Sequence, residues 1–293
     1  MIPRPFEYHA PQTLSEAFAL LGTHGETAKL LAGGHSLLPM MKLRFAQPDH
    51  LIDLGRLAEL KGIREENGTL WIGAMTTENE LIWSALLQSR CPLIVEGARQ
   101  IADPQVRYRG TLGGDLSHGD PGNDHPALMI ALDASFVLQG AAGERVVSAD
   151  GFFIGTYATL LEPGEIMTGI RIPVPPPGTG YCYAKLKRKT GDFATAAAAV
   201  TLRLDGGGNV EHARIALTNV GDTVIRALDA EQALIGKPFD ARALDEAARL
   251  AMAACNPVED LRGDADYKRA MTGEMTRRAL NTAYERAANA ARP

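Results

Sequence analysis

Two short segments pair a double glycine with a side-chain hydroxyl: Ala32-Gly33-Gly34-His35-Ser36, which runs on into Leu37, and Thr111-Leu112-Gly113-Gly114-Asp115. Paired glycines accept positive φ and let backbone N–H groups approach a ligand closely. A run of such N–H groups forms an anion-binding nest, and a neighbouring hydroxyl adds one more donor. Two loops of this kind closing on one pyrophosphate would neutralise it without a lysine. Each alone is most simply a turn after a strand, so a nucleotide reading rests on the pair. Neither segment runs into GKS or GKT, and neither is GxGxxG, so P-loop and Rossmann chemistry lack support.

Two further stretches carry polar chemistry. His118-Gly119-Asp120-Pro121-Gly122-Asn123-Asp124-His125 offers His and Asp in a flexible loop, which permits a metal reading. Asp124 could instead accept hydrogen bonds from ribose hydroxyls. A solvated turn, with Asp124 capping a helix that begins near Pro126, is the plain alternative. The stretch from Lys185 to Phe193, KLKRKTGDF, is basic and then aromatic. It reads as a strand edge blunted by lysines, or as a lysine contact to a cofactor with Phe193 beside a planar ring.

The elements that must hold these residues are legible in outline. Thr13 and Glu16 form a capping box for a helix carrying Leu14, Ala17, Phe18 and Leu21. Strands are expected at 28–32, 51–54 and 69–74, and helices at 77–88, 92–102 and 127–132. Residues 103–126 are rich in Gly, Asp and Pro; an irregular segment of that length inside a compact domain is usually functional or disordered, and the apolar helix at 127–132 that follows favours the functional case. Pro173 to Gly180, PVPPPGTG, reads as a linker, because four prolines in eight residues continue neither a helix nor a central strand. Beyond it, strands are expected at 181–189, 196–204 and 213–218, then helices at 241–255 and from Tyr267 to about Ala291. These patterns give an α+β protein with domains at 1–176 and 177–293.

Composition excludes several classes. The chain has 293 residues, is 45% hydrophobic, and carries a net charge of -5, so a nucleic-acid partner is not expected. No apolar run reaches membrane-spanning length. The opening MIPRPFEYHAP lacks an apolar core behind a basic start, so no secretory signal is expected, and a cytoplasmic location follows. Cys91, Cys182 and Cys255 lie far apart with no CxxC pair. A structural zinc or iron–sulfur site built from them is not expected, and three free thiols are. No metal site and no catalytic acid, base or nucleophile is assigned.

Three long motifs in order, AGGHSLLPMMKLR, ADPQVRYRGTLGGDLSHGDPGNDHPAL and GYCYAKLKRKTGDFATAAAAV, resemble the FAD-binding medium subunit of aerobic carbon monoxide dehydrogenase and its relatives in the xanthine dehydrogenase family. The resemblance covers nearly the whole chain. It implies a two-lobed vanillyl-alcohol-oxidase-type (PCMH-type) FAD domain, followed by a small domain with a three-stranded antiparallel sheet and helices. FAD would lie between the domains. Ala32 to Leu37 and Thr111 to Asp115 would cradle its pyrophosphate, and Asp124 would hold the ribose. Lys185 and Phe193 would lie near the isoalloxazine, and Leu161 and Met167 would line the cleft.

The resemblance also implies partners: a large subunit with a molybdenum cofactor and a small subunit with two [2Fe–2S] clusters, assembled as a dimer of heterotrimers. The complex could associate peripherally with a membrane through its electron acceptor. Two departures stand out. Many relatives have Asn where this chain has Asp115, and an ionised carboxylate beside a pyrophosphate is unfavourable. Relatives near carbon monoxide dehydrogenase often have Tyr at the Phe193 position. A stand-alone FAD oxidase and an interaction module without flavin are the rival classes.

Overall fold

A computed structural model describes residues 1–290. The first lobe contains β1 (Glu7–His9), α1 (Leu14–His24), β2 (Ala28–Leu31), α2 (Leu37–Lys42) and β3 (His50–Asp53). The strands form a parallel sheet in the order β1-β3-β2. Thr13 caps α1 by accepting from the Glu16 N–H at 3.2 Å, and the Glu16 carboxylate reaches back to the Gln12 N–H at 2.8 Å. Ala17 is the fully buried point of this helix, against Leu54, Leu57 and Leu60.

The second lobe is built on an antiparallel sheet. Its strands are β4 (Ile63–Glu66) and β5 (Thr69–Gly73), then β6 (Ser135–Gly140) and β7 (Gly143–Ser148). Short β8 (Phe153–Gly155) and β9 (Ala158–Thr159) pair with each other, and β10 (Ile166–Pro173) completes the main sheet in the order β4-β5-β10-β6-β7. Six helices lie between β5 and β6: α3 (Glu78–Trp83), α4 (Ala85–Arg90), α5 (Pro92–Ala98), α6 (Pro104–Arg107), α7 (Leu112–His118) and α8 (His125–Ala131).

Several expectations change here. The single helix expected over 77–88 is two. Ser84 is extended at φ -69, ψ 110, and its side chain caps α4 by accepting from the Leu87 N–H. The segment 103–126 is not irregular throughout, since it contains α6 and α7. The second glycine pair is therefore no loop: Thr111 is the N-cap of α7, and Gly113 and Gly114 lie in its first turn.

The third unit carries β11 (Gly180–Leu186), β12 (Ala196–Leu204) and β13 (Val210–Thr218), with a two-residue β14 (Ile225–Arg226) added to the expected three strands. Helices α9 (Leu228–Leu234), α10 (Ala241–Ala254) and α11 (Ala265–Ala290) follow. α9 carried no clear sequence signal, and the expected helix end near Ala291 lies outside the described residues. The proline stretch joins β10 to β11, with Pro173 as the last residue of β10.

The alanine run has a structural reason. Strand neighbours point to opposite faces, so Ala197 and Ala199 face the core of the second lobe while Ala196, Ala198 and Val200 face the C-terminal core. Small side chains let this buried strand be covered closely on both faces. Gly180 opens β11 where α11 passes so near that a Cβ would collide with the Ala283 carbonyl oxygen. Across the lobes, Glu96 of α5 accepts from the Tyr183 N–H and from Arg286, each at 2.7 Å, and the Gln100 side chain donates to the Tyr183 carbonyl. These bonds satisfy the free edge of β11 and fix its register against α5. No helix among the described residues is long and apolar enough to cross a membrane.

Candidate functional site

The two glycine pairs meet. A Cβ on Gly33 would collide with the Arg109 carbonyl oxygen, and one on Gly113 would collide with Ala74. A Cβ on Gly114 would lie 2.7 Å from Thr111 Oγ1 and 3.2 Å from Ala32 Cβ. So Ala32 and Gly33 pack on the segment 109–114 at backbone distance. Only Gly34 of these four glycines has positive φ, at 81°; the other three are glycine because of close approach.

The two segments differ as donors. Among the described residues, the N–H groups of Gly33, Gly34, His35 and Ser36 donate to no protein acceptor in the turns and loops. His35 and Ser36 are exposed. In the second segment the N–H groups are used internally: Leu112 to Thr76 O, Gly113 to Ala74 O, Gly114 to Thr111 Oγ1 and Asp115 to Thr111 O. The nest is thus the first turn alone, and the second segment is a wall whose glycines leave room beside it. Four free N–H groups and the Ser36 hydroxyl form a donor set that fits a diphosphate.

From this wall a chain of contacts leads to the C-terminal domain. The Asn123 amide donates to the Asp115 carbonyl at 3.0 Å. Asp124 is 5% exposed, and both carboxylate oxygens are engaged: Oδ1 accepts from the Tyr183 hydroxyl at 2.5 Å, and Oδ2 from Lys185 Nζ at 2.6 Å. Asp124 does not cap α8, since it makes no side-chain cap bond. Lys185 is no exposed edge lysine either; its side chain is 1% exposed. Burial, with the Asp124 carboxylate next to it, holds the Tyr183 phenol well above its ordinary range.

Phe193 is exposed and close to Gly122, whose Cβ would lie 3.3 Å from its ring. Arg262 covers the ring, 5.4 Å from its centroid, and donates to Asp192 at 3.0 Å. Burial raises the Asp192 carboxyl, but hydrogen bonds from Arg188 and Arg262 outweigh this and bring it down to about 2. Leu161 is half-buried just beyond β9, its N–H donating to Thr159. Met167 is buried on β10 opposite Leu138, within the core.

Asp115 lies among the charges of His125, Glu78, Asp124 and Asp120. Its Oδ2 is sealed from solvent and finds no partner. Burial pushes this carboxyl up to about 8, so the neutral form dominates near pH 7. The concern about an ionised carboxylate at a pyrophosphate therefore does not arise. Beside it, the fully buried His125 donates through Nε2 to the Glu78 carboxylate at 2.7 Å. Burial lowers the imidazole, but Glu78 outweighs it and raises His125 to about 9.

The metal alternative at 118–125 fails on this geometry, because His125 is locked to Glu78 and His118 packs on Tyr157 at 4.9 Å. Sequence reading missed Tyr183, Arg262 and the Glu78–His125 pair. Tyr183 had a signal, for it shares a strand face with Lys185 two residues on. It also missed His9, His24 and His50, which converge from three elements.

Comparison with known proteins identifies the family. Residues 4–175 match the FAD binding domain in molybdopterin dehydrogenase, and residues 181–283 match the CO dehydrogenase flavoprotein C-terminal domain. The chain is 62% identical over 288 residues to the carbon monoxide dehydrogenase medium chain of Hydrogenophaga pseudoflava, covering 98% of this chain and 100% of that one. It is 52% identical over 289 residues to the medium chain of Afipia carboxidovorans, covering 99% and 100%. Among solved structures, quinoline 2-oxidoreductase from Pseudomonas putida 86 superposes with a TM-score of 0.93 at 34% identity, covering 98% of this chain and 99% of that one. The chain belongs to the family of FAD-binding medium subunits of molybdenum hydroxylases, of the carbon monoxide dehydrogenase type. It is an oxidoreductase subunit with a PCMH-type FAD domain and an α+β C-terminal domain.

Proposed function

We propose that this chain relays electrons, taking them from [2Fe–2S] clusters of a small subunit and passing them to an external acceptor such as a quinone. A large subunit carrying the molybdenum cofactor would oxidise the substrate, and carbon monoxide is the substrate we favour. The assembly would be a dimer of heterotrimers, touching a membrane only through its acceptor. The carrying observation is identity of 62% across the full length of a carbon monoxide dehydrogenase medium chain.

FAD supplies the redox chemistry, and the protein supplies binding, orientation and electrostatics. The free N–H groups of Gly33 to Ser36 and the Ser36 hydroxyl hold the pyrophosphate, while Leu37 begins the helix behind them. Thr111, Leu112, Gly113 and Gly114 wall the other side, with Asp115 next along α7. Asp124 takes a ribose hydroxyl on remaining lone pairs while Tyr183 and Lys185 fix its carboxylate; each carboxylate oxygen accepts about two bonds. Lys185 and Phe193 flank the isoalloxazine, and Leu161 and Met167 line the cleft. The domains meeting there are 1–176 and 177–293.

The test uses the FAD-loaded subunit without oxygen. Carbon monoxide should leave its flavin absorbance unchanged, and should bleach it once the molybdenum and iron–sulfur subunits are added. Bleaching of the isolated subunit by carbon monoxide, a purine or an aldehyde would overturn the relay in favour of a stand-alone oxidase.

A further inference from the structure

Far from the glycine turns, three imidazoles gather in the first lobe. His9 ends β1, His24 ends α1, and His50 begins β3. Their rings stack, with centroids 3.6 Å apart for His24 and His50 and 5.1 Å apart for His9 and His24. All three offer a ring nitrogen, and these nitrogens lie within 4.8 Å of one another. His9 Nε2 and His50 Nδ1 are 3.2 Å apart. Two ligands on a tetrahedral zinc with bonds of about 2.0–2.1 Å sit roughly 3.3 Å apart, so this edge already has the right length. Glu7 Oε2 stands 3.5 Å from the same His50 Nδ1, in reach as a fourth ligand.

We propose that His9, His24 and His50, with Glu7 or water in the fourth position, bind one divalent cation of the zinc class. Imidazole nitrogen suits zinc, copper and nickel rather than magnesium or calcium. Imidazole must be neutral to ligate. All three residues are half-buried, enough to hold the rings and leave an entry path. A groove of about 410 Å³, lined by His9, Pro11, Glu16 and Thr23, borders His9 on one side of the trio. The cation would tie the three-residue β1 and the end of α1 to β3. Its role is a structural clamp on the lobe that carries the first glycine turn.

The experiment takes the full chain, strips it with a chelator, and titrates Co²⁺ while following visible absorption. One Co²⁺ per chain, with the intense bands of low-symmetry coordination and displacement by Zn²⁺, is expected. Zn²⁺ should raise Tm and Mg²⁺ should not, because a ligand that binds only the folded state stabilises it. His24→Gln and His50→Gln should each weaken binding by at least about the 10–100-fold that supporting-shell changes cost elsewhere. His212→Gln, on the C-terminal sheet, should not. X-ray absorption of the Zn²⁺-loaded wild type covers the case of a variant that misfolds: three imidazoles at the metal support the site, and one or none overturns it. No saturable Co²⁺ binding, or binding unchanged in both variants, overturns it too, leaving the trio as a hydrogen-bonded stack.

Discussion

Lys185 places its ammonium nitrogen 2.6 Å from Asp124 Oδ2, with both side chains sealed from solvent. The pair joins the C-terminal sheet to the segment before α8, and Tyr183 closes the other carboxylate oxygen. Breaking a buried ion pair on one side leaves a charge without compensation. Asp124→Ala should therefore destabilise the chain by about 3–5 kcal/mol. Asp124→Ala combined with Lys185→Met should recover much of that loss, since the stranded ammonium is gone. Urea unfolding of the three proteins checks this. A double variant no more stable than Asp124→Ala would mean that the pair contributes little and the loss comes from Tyr183.

Gly114→Val should remove FAD and leave the fold largely in place. Positive φ is not the reason, because Gly114 is helical. The reason is space: a Cβ there meets Thr111 Oγ1 at 2.7 Å and Ala32 at 3.2 Å, so the added branches must push the wall away from the first turn. Flavin content measured beside far-ultraviolet circular dichroism decides it. Full flavin occupancy in the variant would show that the second glycine pair does not border the cofactor.

Much of this architecture was legible. The Thr13–Glu16 signal, the strand periodicities and the proline stretch each act over a few residues, and local physics sets them. The alternation of Ala196 to Val200 follows from strand geometry, but that each face meets a core is set by tertiary packing the alanine run does not show. The helical state of Gly113 and Gly114 was not legible, because each glycine costs a helix about 1 kcal/mol and the sequence argues for a loop. Tertiary contact wins there: the Gly113 position touches Ala74, and no side chain fits. Asp124 looked free for a ligand because its partners Tyr183 and Lys185 come from another domain. The histidine trio is spread over three elements, so no spacing motif could reveal it.

Asp115 gives a pH signature. Its carboxyl is raised by burial to about 8 from 3.8, so the folded state holds this proton more tightly than the unfolded chain does. The stability it confers is complete below about pH 4 and is lost as pH rises through about 8. Asn at this position does not titrate. Asp115→Asn should thus gain on the wild type between about pH 5 and about pH 9, by on the order of a few kcal/mol. FAD content near pH 7 should be alike in both, because the wild-type group is neutral there. A stability difference that stays flat with pH would show that this carboxyl ionises freely in the folded protein.

The flavin should be held without a covalent bond and in a one-to-one ratio. Attachment through sulfur needs a thiolate within reach of the ring. Cys91, Cys182 and Cys255 are all buried, and burial pushes their thiols up to about 12, 12 and 11. None is nucleophilic near pH 7, and none lies in the glycine turns. His35 is exposed in the first turn, which the proposed function assigns to the pyrophosphate rather than to the ring. Acid or heat denaturation should therefore release all flavin into the supernatant, one per chain. Iodoacetamide should leave the native thiols unmodified and alkylate all three after unfolding. Yellow colour that stays with the precipitated chain would refute the non-covalent site, and rapid alkylation of the native protein would remove its argument from burial.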